Sequence, residues 1–274
     1  MAAGPRTYQD KRPGGGGAYV SSSKAVGGPP PGWLNSKSLA FTPSSVVRSG
    51  AMPVVGRSTK EEIVLAAERL IAAHGLAGVS LRQIGAASGN GNNSAVIYHF
   101  GTKDQLVQAI FQYRLPRLRA RRALFIEERR PNDLRSWLEC QVRAVLEQSE
   151  LDDSHYMSFV ASLQLHDGAE GFEHLPAEFA DSQLDFEAHL RSHLMHLPEP
   201  LQSLRLSQVM YLIVAAAAAR ERARGRGEVV LPFALEVANL SDASVGLLKA
   251  PLSSSTRAAL AGAKATPRHR PLVP

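Results

Sequence analysis

Within residues 57–110, RSTKEEIVLAAERLIAAHGLAGVSLRQIGAASGNGNNSAVIYHFGTKDQLVQAI, helix starts and stops follow one another so closely that the chain can fold there only as short helices turned back on each other. Ser58 or Thr59 can cap a helix whose apolar residues Ile63, Ala66, Ala67, Leu70 and Ile71 recur at helical spacing, and Glu61 and Glu62 complement its positive end. That helix closes near His74 and Gly75. Ser80 is a good N-cap for a short second helix with Ile84, Ala86 and Ala87 inward and Arg82 outward. Gly89, Asn90 and Gly91 stop it. Glycine and asparagine tolerate left-handed backbone angles, so GNGNN reads as the turn of a helix-turn-helix, after which residues 94–100 form another short helix.

The composition of that helix suits a groove better than a protein interior. Asn92, Asn93 and Ser94 are small hydrogen-bonding groups at a helix start, Ala95 leaves room, and Tyr98 and His99 are amphipathic donors. Asparagine can pair with the adenine edge, and serine or tyrosine hydroxyls can reach phosphates. Val96 and Phe100, one turn apart, are expected to face the core, and Lys103 opens the next helix where a phosphate can also meet backbone N–H groups. The competing reading is a plain loop followed by a core aromatic cluster. Each residue taken alone fits it.

Taken together, the segment resembles the DNA-binding domain of the tetracycline-repressor (TetR) family of bacterial regulators. The family's A-x-x-L-I/F-x-x-x-G run corresponds to residues 67–75, its S-L-R-x-I-A run to 80–85, and its Y-H-F-x-x-K-x-x-L run to 98–106. Residues 89–100 depart from the common arrangement: they hold one residue more, and Asn93 and Ser94 replace a basic residue and a glycine. The resemblance implies that Tyr98 and Lys103 hold phosphates, that Arg82 clamps the backbone from the second helix, and that Asn93, Ser94 and Ala95 face bases. Ser80, Asn92 and His99 complete the expected DNA-binding set. It implies an all-α fold, with a three-helix helix-turn-helix DNA-binding domain at 56–105 and a helical ligand-binding and dimerisation domain at 106–250. The last two long helices are then expected to pair with those of a second copy, giving a homodimer that reads a palindromic operator in double-stranded DNA.

The charge distribution agrees with such a division. Residues 1–51 carry six basic and one acidic side chain, 52–125 carry ten and four, and 126–274 carry fifteen and twenty, for net charges of +5, +6 and −5. A basic reading part beside an acidic remainder is the asymmetry expected when only one part docks on phosphate. Solvated surface charge with no partner explains the total but not its distribution.

Residues 1–55 contain a GGGG run, a PPP run, many serines and no apolar periodicity, so they are expected to be a disordered tail, as are residues 251–274. Met52 lies just before the first capped helix, where members of the family commonly begin. Translation is therefore expected to start there, or the tail to be a dispensable extension. A competing use of the tail is nonspecific attraction of DNA by its Arg and Lys. No stretch in it suits a signal peptide, and the apolar run 209–219 is short of the roughly 20 residues that span a bilayer, so no membrane partner and a cytoplasmic location are expected.

From Lys103 an amphipathic pattern runs through Leu106, Ile110, Phe111, Leu115 and Leu118 to Leu124, with Pro116 expected to kink or break it. The arginines of RLPRLRARR read as solvated helix surface. Further helices are predicted at 133–148, 153–165, 176–197, 201–224 and 232–249, with no strand alternation. The helix 201–224 carries VMYLIVAAAAA, apolar nearly all round, and so needs burial on more than one side. A central position in a monomeric core is the alternative to a dimer seam.

Other chemistry is mostly excluded. His189, His193 and His196 would share one face of a predicted helix, with Asp185 a turn earlier, and are weak candidates for a metal site. No HExxH motif or neighbouring cysteine supports them, and no metal or cofactor is expected. Cys140, the sole cysteine, reads as a core thiol. Trp137, Tyr156, Phe159, His166, Phe172 and Tyr211 are candidate ligand-pocket residues, although core packing accounts for them equally well. Without a phosphate-cradling glycine loop, a GxSxG motif or a supported nucleophile pair, an enzyme is not expected. Two classes remain: a regulator, most readily a repressor, released by a small-molecule effector, and a DNA-binding structural or nucleoid-organising protein. A sizeable apolar cavity with a few polar groups distinguishes the first, a filled core the second.

Overall fold

A computed structural model describes residues 57–89, 93–166 and 180–262, and among them every regular element is helical. The expected tail at 1–55 and the residues Asn92 and Phe172 lie outside the described residues.

Local signals set several helix starts. In α1 (Thr59–His74), Ser58 Oγ accepts from the Glu61 N–H at 3.3 Å while the Glu61 carboxylate accepts from the Ser58 N–H at 2.9 Å. The same reciprocal box opens α2 (Leu81–Ala87) through Ser80 and Gln83, α4 (Lys103–Arg129) through Thr102 and Gln105, and α5 (Leu134–Gln148) through Asp133 and Ser136. Each box satisfies two of the backbone donors that a helix start leaves unpaired. Between α2 and α3 (Asn93–Phe100), Gly89 has a φ of 78°, the left-handed turn the sequence calls for.

The chain continues through α6 (Tyr156–His166), α7 (Ala180–Ser192), α8 (Glu199–Gly225), α9 (Phe233–Lys249) and α10 (Ser254–Gly262). One apolar core runs from Ile63 in α1 to Leu248 in α9, so the boundary expected at 105/106 falls inside both α4 and this core. At its centre Phe111 lies edge-on to Tyr156 with ring centroids 6.4 Å apart and 5.5 Å from Phe159, joining α4 to α6. Helix α8 packs on α5, α6 and α9.

Several sequence expectations are corrected. Helix α4 runs through Pro116 without a break, Ala86 is exposed while Gly85 is buried, and residues 254–262, expected to be disordered, form a helix that Ser253 caps by accepting from the Thr256 N–H. Within one chain helix α8 buries one side, with Leu206, Val209, Met210, Ile213 and Val214 facing the core and Leu204, Tyr211 and Leu212 facing outward, so it is not the central helix of a monomeric core. By length and composition alone this helix would suffice to cross a membrane, but it also buries the charged Arg220 and Glu221 in paired positions. The arginine run is not simply solvated. Arg114 pairs with Glu68, Arg121 with Glu147, and Arg122 is buried with Gln141 as a partner.

Glu221 illustrates how packing holds α6 in place. Its carboxylate accepts from the Met157 N–H at 3.1 Å and the Ser158 N–H at 2.9 Å, at the start of α6. Burial pushes this carboxyl up, against the lowering effect of those hydrogen bonds. Replacing Glu221 by Ala should orphan both donors and destabilise the chain by about 2–3 kcal/mol, with Gln losing less because its carbonyl still accepts. Urea-unfolding midpoints of E221A and E221Q test the order, and equal losses would contradict it. Burial also pushes the Cys140 thiol up. Alkylation of the native chain should therefore be slower by about tenfold or more than in urea. Equal rates would place this thiol at the surface.

Candidate nucleic-acid interface and ligand cavity

Helix α3 divides its residues cleanly. Val96 and Phe100 are buried, Ala95 is half-buried, and Ser94, Ile97, Tyr98 and His99 are exposed. Tyr98 is 85 % exposed, an unusual position for an aromatic ring that merely stabilises a fold. Its ring meets that of His99 edge-on at 5.2 Å between centroids. Ser94, Ile97 and Tyr98, at i, i+3 and i+4, share one face, with the exposed Arg82 on the preceding helix. Sequence reasoning passed over Ile97, although the inward spacing of Val96 and Phe100 already placed it outward. Asn93 begins α3, and nothing is described of its side chain.

Two of the expected contacts have local partners. The Ser80 hydroxyl is engaged in the α2 capping box, at 2.8 Å from Gln83 Oε1 and 3.3 Å from the Gln83 N–H. Lys103 Nζ donates to the Leu76 carbonyl at 2.8 Å, tying the start of α4 to the loop after α1. An ammonium held this way fixes where α4 begins, whatever else it meets.

A second site lies in the helical body. A cavity of about 730 Å³ is walled by Pro116, Arg119, Ala120, Arg122, Ala123 and Ile126 of α4, Trp137 of α5, and Asp185, Phe186 and His189 of α7. His189 stacks on Trp137 with ring centroids 4.2 Å apart. Its Nδ1 lies 2.8 Å from the Asp185 carbonyl oxygen, and because a carbonyl only accepts, that nitrogen carries the proton. Arg122 is 4 % exposed, donates from Nη1 to Gln141 Oε1 at 3.1 Å, and lies 4.7 Å from the Phe186 ring centroid. Burial, and the nearby charge of Arg119, push its guanidinium down to about 10.

Of the described ligand-pocket candidates, only Trp137 is among the residues that wall this cavity. Tyr156 and Phe159 belong to the core, where the Tyr156 hydroxyl is buried with no hydrogen-bond partner among the described residues, and Tyr211 is exposed on α8. His166 ends α6 with no description of its side chain. The histidine trio does not share a helix face, because α7 stops at Ser192 and leaves His193 and His196 in turns. Among the described residues no cluster of His, Cys, Asp or Glu could hold a metal ion. The cavity residues that went unnoticed sit at residues 116, 119, 123 and 126, one face of α4 hidden within a run read as solvated.

Residues 63–110 match the model of the bacterial regulatory proteins of the tetR family. The comparison with curated proteins gives no match. Among solved structures, the chain is similar to the fatty acid degradation regulator FadR from Bacillus halodurans at 16% identity and a TM-score of 0.48, covering 71% of this chain and 97% of that one. It is also similar to a transcriptional regulator from Rhodococcus sp. Rha1 at 18% identity and a TM-score of 0.47, covering 77% and 100%. Residues 63–110, from within α1 to the first turns of α4, are therefore the part of the chain that is similar to the tetR family of bacterial regulatory proteins, and they hold the helix-turn-helix.

Proposed function

We propose that this regulator is a cytoplasmic homodimer that holds a palindromic operator through α2 and α3 and is released from it by a small molecule bound in the helical part. Residues 56–105 form its DNA-binding domain and 106–250 its ligand-binding and dimerisation domain. The observation that carries the DNA-binding half is the outward face of α3, where Tyr98 and His99 are exposed, as is Arg82 on α2. Exposed hydroxyl, imidazole and guanidinium groups suit phosphates and base edges.

The exposed Leu204, Tyr211 and Leu212 of α8 and Leu235 of α9 support dimerisation, because apolar side chains repeated along exposed helix faces gain from burial against a second copy. Two-fold symmetry then requires two matching half-sites. The cavity supports an effector-responsive regulator over a purely structural DNA-binding protein, which needs no such space. Its longest wall is α4, the helix that Lys103 anchors beside the reading domain. A ligand that fits the cavity better when α4 is tilted would draw the population away from the DNA-binding geometry. Pro116 lies in that wall, where the missing backbone donor makes the helix easiest to bend.

Because Lys103 also supports the fold, Tyr98 is the cleaner test. On duplex from the region upstream of its own gene, Tyr98→Ala should weaken affinity by about tenfold or more, the scale of a lost specific contact, with an unchanged unfolding midpoint. Tyr98→Phe separates the hydroxyl from the ring. Unchanged affinity and salt dependence in Y98A would overturn the assignment.

A further inference from the structure

We infer that Ile97, on the outer side of α3, sets part of the sequence preference by packing on the C5 methyl group of a thymine in the major groove; this rests on the DNA-binding role proposed above for the same helix. Among the described residues of α1, α2 and α3, the large apolar side chains left exposed are Ile97, at 49 %, and its neighbour Tyr98, at 85 %. Apolar side chains scattered singly over a surface ask for no explanation. Two adjoining ones, on a helix whose Val96 and Phe100 already fill its buried side, form a patch.

Helix geometry and side-chain chemistry separate the two. At about 3.6 residues per turn, Tyr98 lies opposite the buried pair Val96 and Phe100, and Ile97 lies on the flank between them. Tyr98 carries a hydroxyl for a phosphate or a base edge. Ile97 has neither donor nor acceptor and gains nothing from a phosphate. The apolar group that base edges offer in the major groove is the thymine methyl, and adenine, guanine and cytosine place none there. A contact with it therefore reads sequence. The β-branched side chain of Ile97 is stiff, so it presents its methyl surface at a fixed place and loses little freedom on contact. Charge points to duplex DNA as the occupant of this patch, rather than a second apolar surface: residues 52–125 carry ten basic and four acidic side chains, a net charge of +6, and Arg82 is exposed on α2.

Replacing a thymine by deoxyuridine removes that methyl and keeps every hydrogen-bonding group of the base, so it tests the contact on the full chain. In duplexes that the full chain selects from a random pool, replacement at one thymine position should weaken wild-type binding about fourfold, the worth of one buried methyl-sized group. Ile97→Ala should bind the thymine and deoxyuridine duplexes equally. Its salt dependence and unfolding midpoint should match the wild type, because no charge, hydrogen bond or core contact leaves with the side chain. If Ile97→Ala fails to fold, Ile97→Thr, which keeps the branched shape and shortens the apolar reach, takes its place. Binding that no thymine replacement weakens, or an equal loss in the wild type and the variant, would overturn the assignment of Ile97 and leave the DNA-binding role standing. No saturable binding to any duplex would overturn that role, and this contact with it.

Discussion

The carboxylate of Glu68, on the inner face of α1, is 1 % exposed and takes two hydrogen bonds from Arg114 of α4, at 2.7 and 2.8 Å, and a third from the His155 N–H at 3.0 Å, just before α6. A charge so far from water is tolerable only when paired, and removing one partner of such a pair costs about 3–5 kcal/mol. Three helices are thereby held to one point. Helix α1 lies in the segment similar to the family, α4 begins in it, and α6 lies beyond it. At the same end of α6, Glu221 of α8 accepts from the Met157 and Ser158 N–H groups. The start of α6 is therefore gripped by carboxylates from α1 and from α8.

This arrangement gives α4 its importance. Its first residue is anchored to the loop after α1, its middle is locked to Glu68 through Arg114, and its next turns form the longest wall of the cavity. Under the proposed function, a helix with fixed points at one end and a ligand-sized space farther along would act as a lever. Packed interiors move between discrete arrangements rather than deforming smoothly, so small changes at the cavity can be passed on as whole-helix shifts.

What could be read in the sequence was what depends on near neighbours. Ser58, Ser80 and Asp133 each engage a partner three residues away, and the helices begin where those residues place them. The inward pair Val96 and Phe100 followed from periodicity in the same way. Features that depend on distant partners stayed hidden. Arg114 and Arg121 read as solvated because Glu68 and Glu147 are far away in the chain, and part of the basic charge credited to DNA binding is spent inside the protein. The cavity is assembled from three helices, and its α4 face looks like part of a charged run until α5 and α7 are packed on it. The histidine trio failed because α7 stops at Ser192 and the chain turns from His193 onward. Helix α10 buries nothing, so no apolar period announces it.

The central claim is that this chain reads DNA as a two-fold pair of α3 helices. Selection of duplexes from a random pool by the full chain tests it most directly. The account predicts enrichment of an inverted repeat whose half-site centres lie about 34–36 Å apart, one turn of DNA, or a multiple of it. Enrichment of a single unrepeated motif, or of no motif, would contradict it.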